Sequence, residues 1–230
     1  MNGKCIGFIV FVIIIIALIS CDGASDNHTF HQHQWSEWTE IIPATLTSTG
    51  KRERICIDCL VEEKRDTALV GGIGTGGGTV FYYNPAGFNV TGVGLFTAYF
   101  LEAAPANTET TLAWASLDFI SISISGTGTA IGTGRANTAR ILEIDSNAPA
   151  AKACYEYSYN EKNDWFLPSR NELNAMYNAR TYLDISQGRF WSSSQYSSII
   201  AWGLIFDSYG SYTYLNKDNF SFNVRAIRAF

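Results

Sequence analysis

The first feature of the hydrophobic pattern is an apolar run close to the N-terminus. After Lys4, residues 6–19 are apolar, with Gly7 as the only interruption. A helix that spans a membrane needs about 20 apolar residues, whereas a shorter run is typical of the apolar core of a secretory signal peptide. We therefore predict that residues 1–20 form a signal peptide that is removed on export.

The residues that end this run carry a candidate modification site. Leu18-Ile19-Ser20-Cys21 places an aliphatic residue three positions before a cysteine and a small residue directly before it. The segment resembles the bacterial lipobox, which implies a diacylglycerol thioether on Cys21 and a lipid anchor in the membrane. An uncleaved anchor and a plain signal peptide are the alternatives. Residues 21–27 are small and polar, as in a flexible tether.

Residues 28–66 form a second stretch with its own pattern. The alternation of apolar and polar residues predicts two short strands, Trp35–Ile41 and Lys51–Ile57, which a turn at residues 48–50 joins into a small β-hairpin. Such a hairpin buries too little apolar area to be stable alone. We therefore expect a disulfide or a bound metal ion to stabilise this module.

Cysteine and histidine residues are the candidates for this disulfide or metal site. Cys56 and Cys59 form a Cys-x-x-Cys pair, and His31 and His33 lie upstream. Zn²⁺ binds thiolate and imidazole groups, but an oxidising compartment also allows a Cys56–Cys59 disulfide. We favour the disulfide or simple packing and keep zinc as the alternative. The surrounding order of His, Trp-x-x-Trp, Pro-Ala-Thr, Gly and Arg-x-Cys-x-x-Cys resembles a short repeat of bacterial surface proteins, without its usual third cysteine.

Residues 67–230 have the pattern of a compact α+β domain. The predicted strands include 79–83, 99–101, 120–125, 165–167 and 220–230. The predicted helices are 137–144, 150–157 and one that begins at the capping box Ser169-x-x-Glu172. The glycine-rich run 71–78 has dinucleotide-binding spacing, but it precedes a strand instead of opening a helix. We interpret it as a flexible entry to a β-hairpin.

The charge and the reactive residues argue against several functions. The net charge of −5 gives no electrostatic footprint for nucleic acid. Cys154 is the one cysteine of this domain and lies in an alanine-rich helix, where a buried, inert thiol is expected. All histidines precede residue 67, so the domain offers no Cys–His pair for catalysis. We therefore predict no enzymatic activity and no cofactor.

Several motifs of this domain carry a family resemblance. They are Gly-Gly-Gly-x-Val-Phe-Tyr from Gly76, Ala-Ala-x-Ala-Cys ending at Cys154, Trp-Phe-Leu-Pro-Ser-Arg-x-Glu-Leu from Trp165, Phe-Trp-Ser-Ser-Ser from Phe190 and Ala-Trp-Gly from Ala201. In their order and spacing they resemble the Lcl C-terminal domain family of collagen-like bacterial adhesins. The resemblance implies a fold similar to C-type lectins and the formylglycine-generating enzyme, with two helices packed on a twisted, mainly antiparallel sheet.

The segment 195–219 holds the candidate binding residues. It interleaves tyrosines with Ser, Gly, Asn and Asp, a composition typical of adaptable binding loops. The candidates are Tyr196, Asp207, Tyr209, Tyr212, Tyr214 and Lys217. A solvated hairpin with half-packed tyrosines is the alternative. The residues expected in the core are Trp165, Trp191, Trp202 and Phe206, and those expected in structural hydrogen bonds or ion pairs are Arg225 and Arg228.

These observations together predict a non-enzymatic binding module on a lipid-anchored protein of the cell envelope. It would act at the outer membrane or cell surface as an adhesin for host or glycan ligands. Its partners would be the membrane, through the lipid on Cys21, and a glycan or protein ligand, but no nucleic acid. The negative net charge argues against a simple affinity for sulfated glycans. A structural or assembly protein of the envelope and a formylglycine-generating-enzyme-like enzyme are the alternatives.

Overall fold

The computed structural model describes residues 33–42, 50–66, 70–92, 94–185, 187–219 and 222–230, with the backbone alone at residues 40–42 and 65–66. The predicted signal peptide and tether, with Cys21 and His31, lie outside the described residues. The chain divides into two compact units. Within the described ranges, the small unit comprises residues 33–42 and 51–66, and the large unit comprises residues 70–230. None of the helices in these ranges has the length and apolar character that crossing a membrane requires.

The small unit is an antiparallel sheet of three strands in the order β1-β2-β3. Its strands are β1 (Thr39–Ile42), β2 (Lys51–Ile55) and β3 (Glu62–Asp66). The predicted hairpin of two strands is thus incomplete, because β3 adds a third. Its sequence, Glu-Glu-Lys-Arg-Asp, has none of the apolar alternation by which strands are recognised. Charged pairs across the strands hold it instead, such as Arg54–Glu63 at 2.5 Å and Lys64–Glu53 at 3.6 Å.

A stack of tryptophan and arginine side chains covers one part of this small sheet. The Arg54 guanidinium lies 4.5 Å from the ring centre of Trp35 and 4.7 Å from that of Trp38. Arg52 lies 4.7 Å from the Trp38 ring centre. Each such cation–π contact is worth about 0.5–1 kcal/mol at exposed sites. The stack therefore explains why Trp-x-x-Trp and Arg-x-Arg occur together in a unit with little apolar core.

Over its described residues, the large unit contains two sheets and three α-helices, which confirms the predicted α+β class. Its strands are β4 (Thr79–Val90), β5 (Phe96–Ala103), β6 (Thr110–Thr111), β7 (Gly188–Gln195), β8 (Ile200–Phe206), β9 (Tyr212–Asn216), β10 (Asn223–Val224) and β11 (Ile227–Ala229). One sheet has the order β6-β10-β7-β8-β9 and the other β11-β5-β4. All pairings in them are antiparallel except β10 with β7.

The helices follow their sequence signals closely. They are α1 (Gly134–Ile144), α2 (Pro149–Tyr155) and α3 (Arg170–Asn178), with short 3-10 turns at Ala106–Thr108, Leu117–Phe119 and Arg180–Tyr182. The predicted capping box is confirmed, because the Ser169 hydroxyl accepts from the Glu172 amide and the Glu172 carboxylate accepts from the Ser169 amide. α2 begins at Pro149, one residue before the predicted start, because proline suits the first turn of a helix. The three helices are one more than the family resemblance implies.

Three predicted strands are wrong. In place of one strand at residues 220–230, the structure has the short strands β10 and β11 in two different sheets. Residues 120–125 alternate like a strand, but the structure has a turn and a loop there. Side chains bind this backbone in place of a neighbouring strand: Ile124 N donates to Gln195 Oε1 at 2.8 Å, and Lys217 Nζ donates to Ile122 O at 2.8 Å. Residues 165–167 are buried as expected, but they contribute only one bridge, between Phe166 and Ile227.

The glycine-rich run is not a flexible entry, as predicted, but a loop wrapped around a buried carboxylate. Glu102 is fully buried and accepts hydrogen bonds from Gly76 N and Gly78 N, both at 2.9 Å. A Cβ atom on Gly76 would lie 2.7 Å from Glu102 Oε1. The Arg228 guanidinium forms an ion pair with the same carboxylate at 2.8 Å. The glycines are therefore needed for close approach to Glu102.

Two apolar clusters fill the large unit. One gathers β4, β5, α3, β7 and β8, and the other lies around Trp114, Trp165, Trp191 and Phe222. The predicted core positions Trp165, Trp191 and Phe206 are confirmed as buried. Trp202 is only half-buried, so its placement in the core was wrong. Arg225 and Arg228 form structural ion pairs as predicted, Arg225 with Glu109 at 3.0 Å.

Candidate ligand-binding surface

Strands β8 and β9 position a group of aromatic side chains at one edge of the five-stranded sheet. In the antiparallel pair, Trp202 lies directly opposite Tyr214, and Leu204 lies opposite Tyr212. Because successive residues of a strand point to opposite faces, Tyr212 and Tyr214 lie on the same face. Tyr196 follows β7 directly and is joined to the start of β8 by the hydrogen bond from its amide to Ile200 O at 3.0 Å.

The side chains of Tyr196, Trp202, Tyr212 and Tyr214 form one connected patch, which we call the aromatic surface. Tyr196 and Tyr214 are stacked, with ring centres 5.1 Å apart and an interplanar angle of 15°. Trp202 stands edge-on to both tyrosines, at 5.0 Å from Tyr196 and 5.7 Å from Tyr214, and at 6.2 Å from Tyr212. The exposed fractions are 54% for Tyr196, 41% for Tyr212 and 52% for Tyr214. Large rings thus contact one another while much of their area faces solvent.

Arg170 is the cation of this surface, and the ligand prediction from the sequence missed it. Its guanidinium lies 5.0 Å from the ring centre of Trp202 and 4.8 Å from that of Tyr212. The capping box makes Arg170 the first residue of α3, and its amide donates to Ser194 Oγ at 3.0 Å. The Nε atom is buried without a hydrogen-bond partner in the structure. The signal in the sequence was an arginine in the first turn of α3 that capping does not explain.

Asp207 and Tyr209 lie beside this surface, in the turn that connects β8 and β9. Asp207 Oδ1 accepts from Tyr209 N at 2.8 Å and Gly210 N at 2.9 Å, and these hydrogen bonds lower the pKa of the carboxyl. The Asp207 carbonyl accepts from the Tyr177 hydroxyl at 2.9 Å. Asp207 therefore shapes the turn. Tyr209 is 87% exposed and makes none of the ring contacts of the aromatic surface.

Lys217 is not a surface residue, so its prediction as a ligand contact is wrong. The side chain is fully buried, and its Nζ donates to Ile122 O at 2.8 Å and to Gln195 Oε1 at 2.7 Å. The ammonium lies 4.8 Å from the ring centre of Trp114. Burial lowers the pKa of Lys217 to about 8. The residue holds the loop 120–125 against the sheet and is out of reach of a ligand.

A second group with chemical potential lies in the small unit. His33, Cys56 and Cys59 each offer one ligand atom, and these atoms lie within 4.8 Å of one another. His33 Nδ1 and Cys59 Sγ are 3.3 Å apart. Cys56 is buried, while Cys59 and His33 are half-buried. The structure thus brings together three of the four zinc candidates that the sequence offered, and His31 is outside the described residues.

Two groups of the large unit whose pKa values are strongly raised, Cys154 and Glu172, are enclosed. Cys154 is buried, and desolvation raises the pKa of its thiol far above the ordinary value. Glu172 is fully buried, and this burial raises the pKa of its carboxyl to about 7, against the opposing effect of hydrogen bonds from Ser169 and Gly132. Neither group is open to a substrate, because both side chains are packed inside the unit.

No family model, curated protein or solved structure matches the chain. The resemblance to the Lcl C-terminal domain family therefore stays a prediction. Among the described residues of the large unit, the rings of the aromatic surface and the neighbouring Arg170 are the features that suggest a function.

Proposed function

We propose that the protein is a lipid-anchored lipoprotein of the cell envelope whose large unit is a non-enzymatic binding module for glycans. The lipid would be attached to Cys21, and the glycan would bind at the aromatic surface. The observation that carries the proposal is the contact between Tyr196, Trp202 and Tyr214, whose rings are assembled at the surface with about half of each tyrosine exposed.

The chemistry of the aromatic surface suits a sugar. A pyranose has an apolar face of C–H groups and a rim of hydroxyl groups. Tyrosine and tryptophan offer a rigid apolar ring and a polar end, at a low cost in conformational entropy. The half-buried Arg170 guanidinium adds a cationic hydrogen-bond donor group next to two of the rings. The surface therefore supplies both the apolar contact and the hydrogen-bond donors that a sugar ring needs.

The charge of the chain limits the class of glycan that we propose as the ligand. The net charge is −5, and the aromatic surface contains one cation, Arg170, among the residues that define it or lie on it. Sulfated glycans are bound by several clustered cations, since each sulfate group brings a negative charge. We therefore propose a neutral glycan, or one with a single acidic group.

Two features support a C-type-lectin-like fold as the finer part of the proposal. The strand pairing in the two sheets is antiparallel except between β10 and β7, as expected for a mainly antiparallel sheet. In addition, β4 and β11 both pair with β5, so the first and last strands of the large unit lie in one sheet. Closely spaced ends are what the family resemblance implies.

The binding proposal is tested with residues 22–230, the mature chain without its lipidated Cys21, on an array of neutral and acidic glycans, followed by calorimetry with the strongest ligand. The double variant Tyr196→Ala and Tyr214→Ala removes the stacked pair. Truncating an aromatic anchor costs roughly 1–2 kcal/mol, so we expect affinity to fall at least about 10-fold. The matched control is Tyr209→Ala, which removes a more exposed tyrosine outside the patch.

Equal binding by the double variant and the wild type would refute the assignment of the site. No binding to any glycan by the folded wild-type chain would refute the proposed ligand class. The anchor is tested separately by metabolic labelling of the full chain with a fatty acid in a bacterial host. We expect label in the wild type and none in Cys21→Ala, and a labelled Cys21→Ala variant would overturn the proposed lipidation site.

A further inference from the structure

The geometry points to a structural Zn²⁺ site in the small unit, formed by His33, Cys56 and Cys59. Thiolate and imidazole are the ligands of structural zinc sites, and Cys-x-x-Cys is the spacing that such sites commonly use. The proposal concerns the folding of the small unit and does not depend on what the large unit binds.

The distances between the three donor atoms fit one ion. In a tetrahedral site with Zn–S near about 2.3 Å and Zn–N near about 2.0 Å, neighbouring donor atoms lie roughly 3.5–3.8 Å apart. Cys59 Sγ and His33 Nδ1 are 3.3 Å apart, and all three donor atoms fall within 4.8 Å. The widest of these separations exceeds the tetrahedral value by no more than about 1 Å, so side-chain movements of up to about 1 Å would accommodate the ion.

The backbone holds the two cysteines in a tight turn. Leu60 N donates to Cys56 O at 2.9 Å, and Cys56 N donates to Val61 O at 2.9 Å. Leu60 has a φ of 59°, in the left-handed region that a leucine rarely adopts. A turn of this kind is kept only where its surroundings determine it, and such turns occur often at functional sites. Here it brings Cys59 back beside Cys56.

His33 reaches the turn from the other end of the small unit. Ile57 N donates to Gln34 O at 2.8 Å, which ties the segment next to His33 to the cysteine turn. The His33 ring packs against Trp35, with ring centres 5.0 Å apart. Trp35 is itself paired with Cys56 through a β-bridge. The imidazole is thus placed by the same contacts that place the first cysteine.

A bound zinc ion would contribute to the stability of the small unit. Among the side chains of this unit that the structure describes, Cys56 is the only apolar one that is fully buried, while Ile57 and Leu60 are largely exposed. A unit of this size is commonly stabilised by a disulfide, a metal or another partner. A Cys56–Cys59 disulfide would stabilise the unit without involving His33. Zinc would use all three side chains, with one further ligand to complete the tetrahedron.

The test is metal analysis of the mature chain, residues 22–230, purified under reducing conditions without chelators. We expect close to one zinc ion per chain by mass spectrometry of the elements. Substitution with Co²⁺ should give the intense visible bands of a tetrahedral site and a sulfur-to-metal charge-transfer band. Bound zinc should be lost in His33→Gln and in Cys59→Ser. Cys154→Ala is the matched control, because it removes a cysteine buried in the large unit, and it should retain the ion.

Cys56 is buried, so replacing it would also disturb packing. The substitutions are therefore made at Cys59 and His33, which are half-buried. The Co²⁺ spectrum of the wild type needs no variant at all. The proposal is overturned if the reduced wild-type chain takes up no zinc or cobalt. It is also overturned if the chain isolated from the envelope of its host contains a Cys56–Cys59 disulfide.

Discussion

Replacing Glu102 by alanine removes the acceptor around which the glycine-rich loop of the large unit is folded. The Glu102 carboxylate accepts from Gly76 N and Gly78 N, both at 2.9 Å, and from Arg228 Nη1 at 2.8 Å. The side chain is fully buried, so no water can replace it without a rearrangement. The variant Glu102→Ala therefore leaves two backbone donors unsatisfied in the interior.

The size of the effect follows from these contacts. A buried donor that loses its acceptor costs about 1–3 kcal/mol. Arg228 would keep Asp164 at 2.5 Å and Thr75 Oγ1 at 2.8 Å, so its charge would not be stranded. Two orphaned amides give a loss of roughly 2–6 kcal/mol in the free energy of unfolding, a range that includes the roughly 3–5 kcal/mol for removing one partner of a buried ion pair. Glu102→Gln retains one acceptor oxygen and should lose about half as much.

The assay is urea unfolding of the mature chain, followed by tryptophan fluorescence and circular dichroism. The control is Glu143→Ala, which removes the partner of Arg140 in an exposed ion pair of α1. That pair should be worth less than about 1 kcal/mol. If Glu102→Ala destabilised the chain no more than Glu143→Ala does, the carboxylate would not be what organises the loop.

Two further predictions concern buried polar groups. Burial lowers the pKa of Lys217 to about 8 from 10.5, so the unfolded chain binds the proton more tightly. Stability should therefore rise by up to roughly 3 kcal/mol between these two pH values, and urea unfolding across pH should show the rise in the wild type but not in Lys217→Met. Ser169→Ala removes the cap of α3 and should lower stability by about 1–2 kcal/mol in thermal or urea unfolding. An unchanged midpoint would refute the cap's contribution.

Elements with a local cause could be predicted from the sequence. The capping box at Ser169 fixes the start of α3 through contacts three residues apart, and Pro149 does the same for α2. The strand predicted at residues 79–83 exists, but β4 continues through the turn-forming sequence Asn84-Pro-Ala-Gly87 as a bulge. Asn84 Oδ1 accepts from Ala86 N there, and pairing with β5 resumes at Phe88. The turn residues thus formed their local hydrogen bonds without ending the strand.

Predictions failed where distant side chains bind the backbone. Residues 120–125 are held by Gln195 and Lys217, 71 and 95 positions away from the atoms that they bind, and no periodicity reveals such contacts. The buried position of Lys217 was missed for the same reason, because a lysine between polar residues is usually solvated. In the candidate site, the composition of residues 195–219 singled out Tyr212 and Tyr214. The contact of Tyr212 with Arg170 depends on how α3 packs on the sheet.

The position of Arg170 bears on how a ligand could bind. The rings of Trp202 and Tyr214 are fixed by strand pairing, and Arg170 is fixed by the first turn of α3 and by its amide bond to Ser194. Binding costs are lowest where the contacting groups are already in place, since ordering each mobile side chain costs about 0.5–1.5 kcal/mol. A surface built from two strands and a capped helix therefore differs from the solvated hairpin that was the alternative interpretation. Only the stacked and cation-bound rings are held in this way, and Tyr209, in the turn, is not among them.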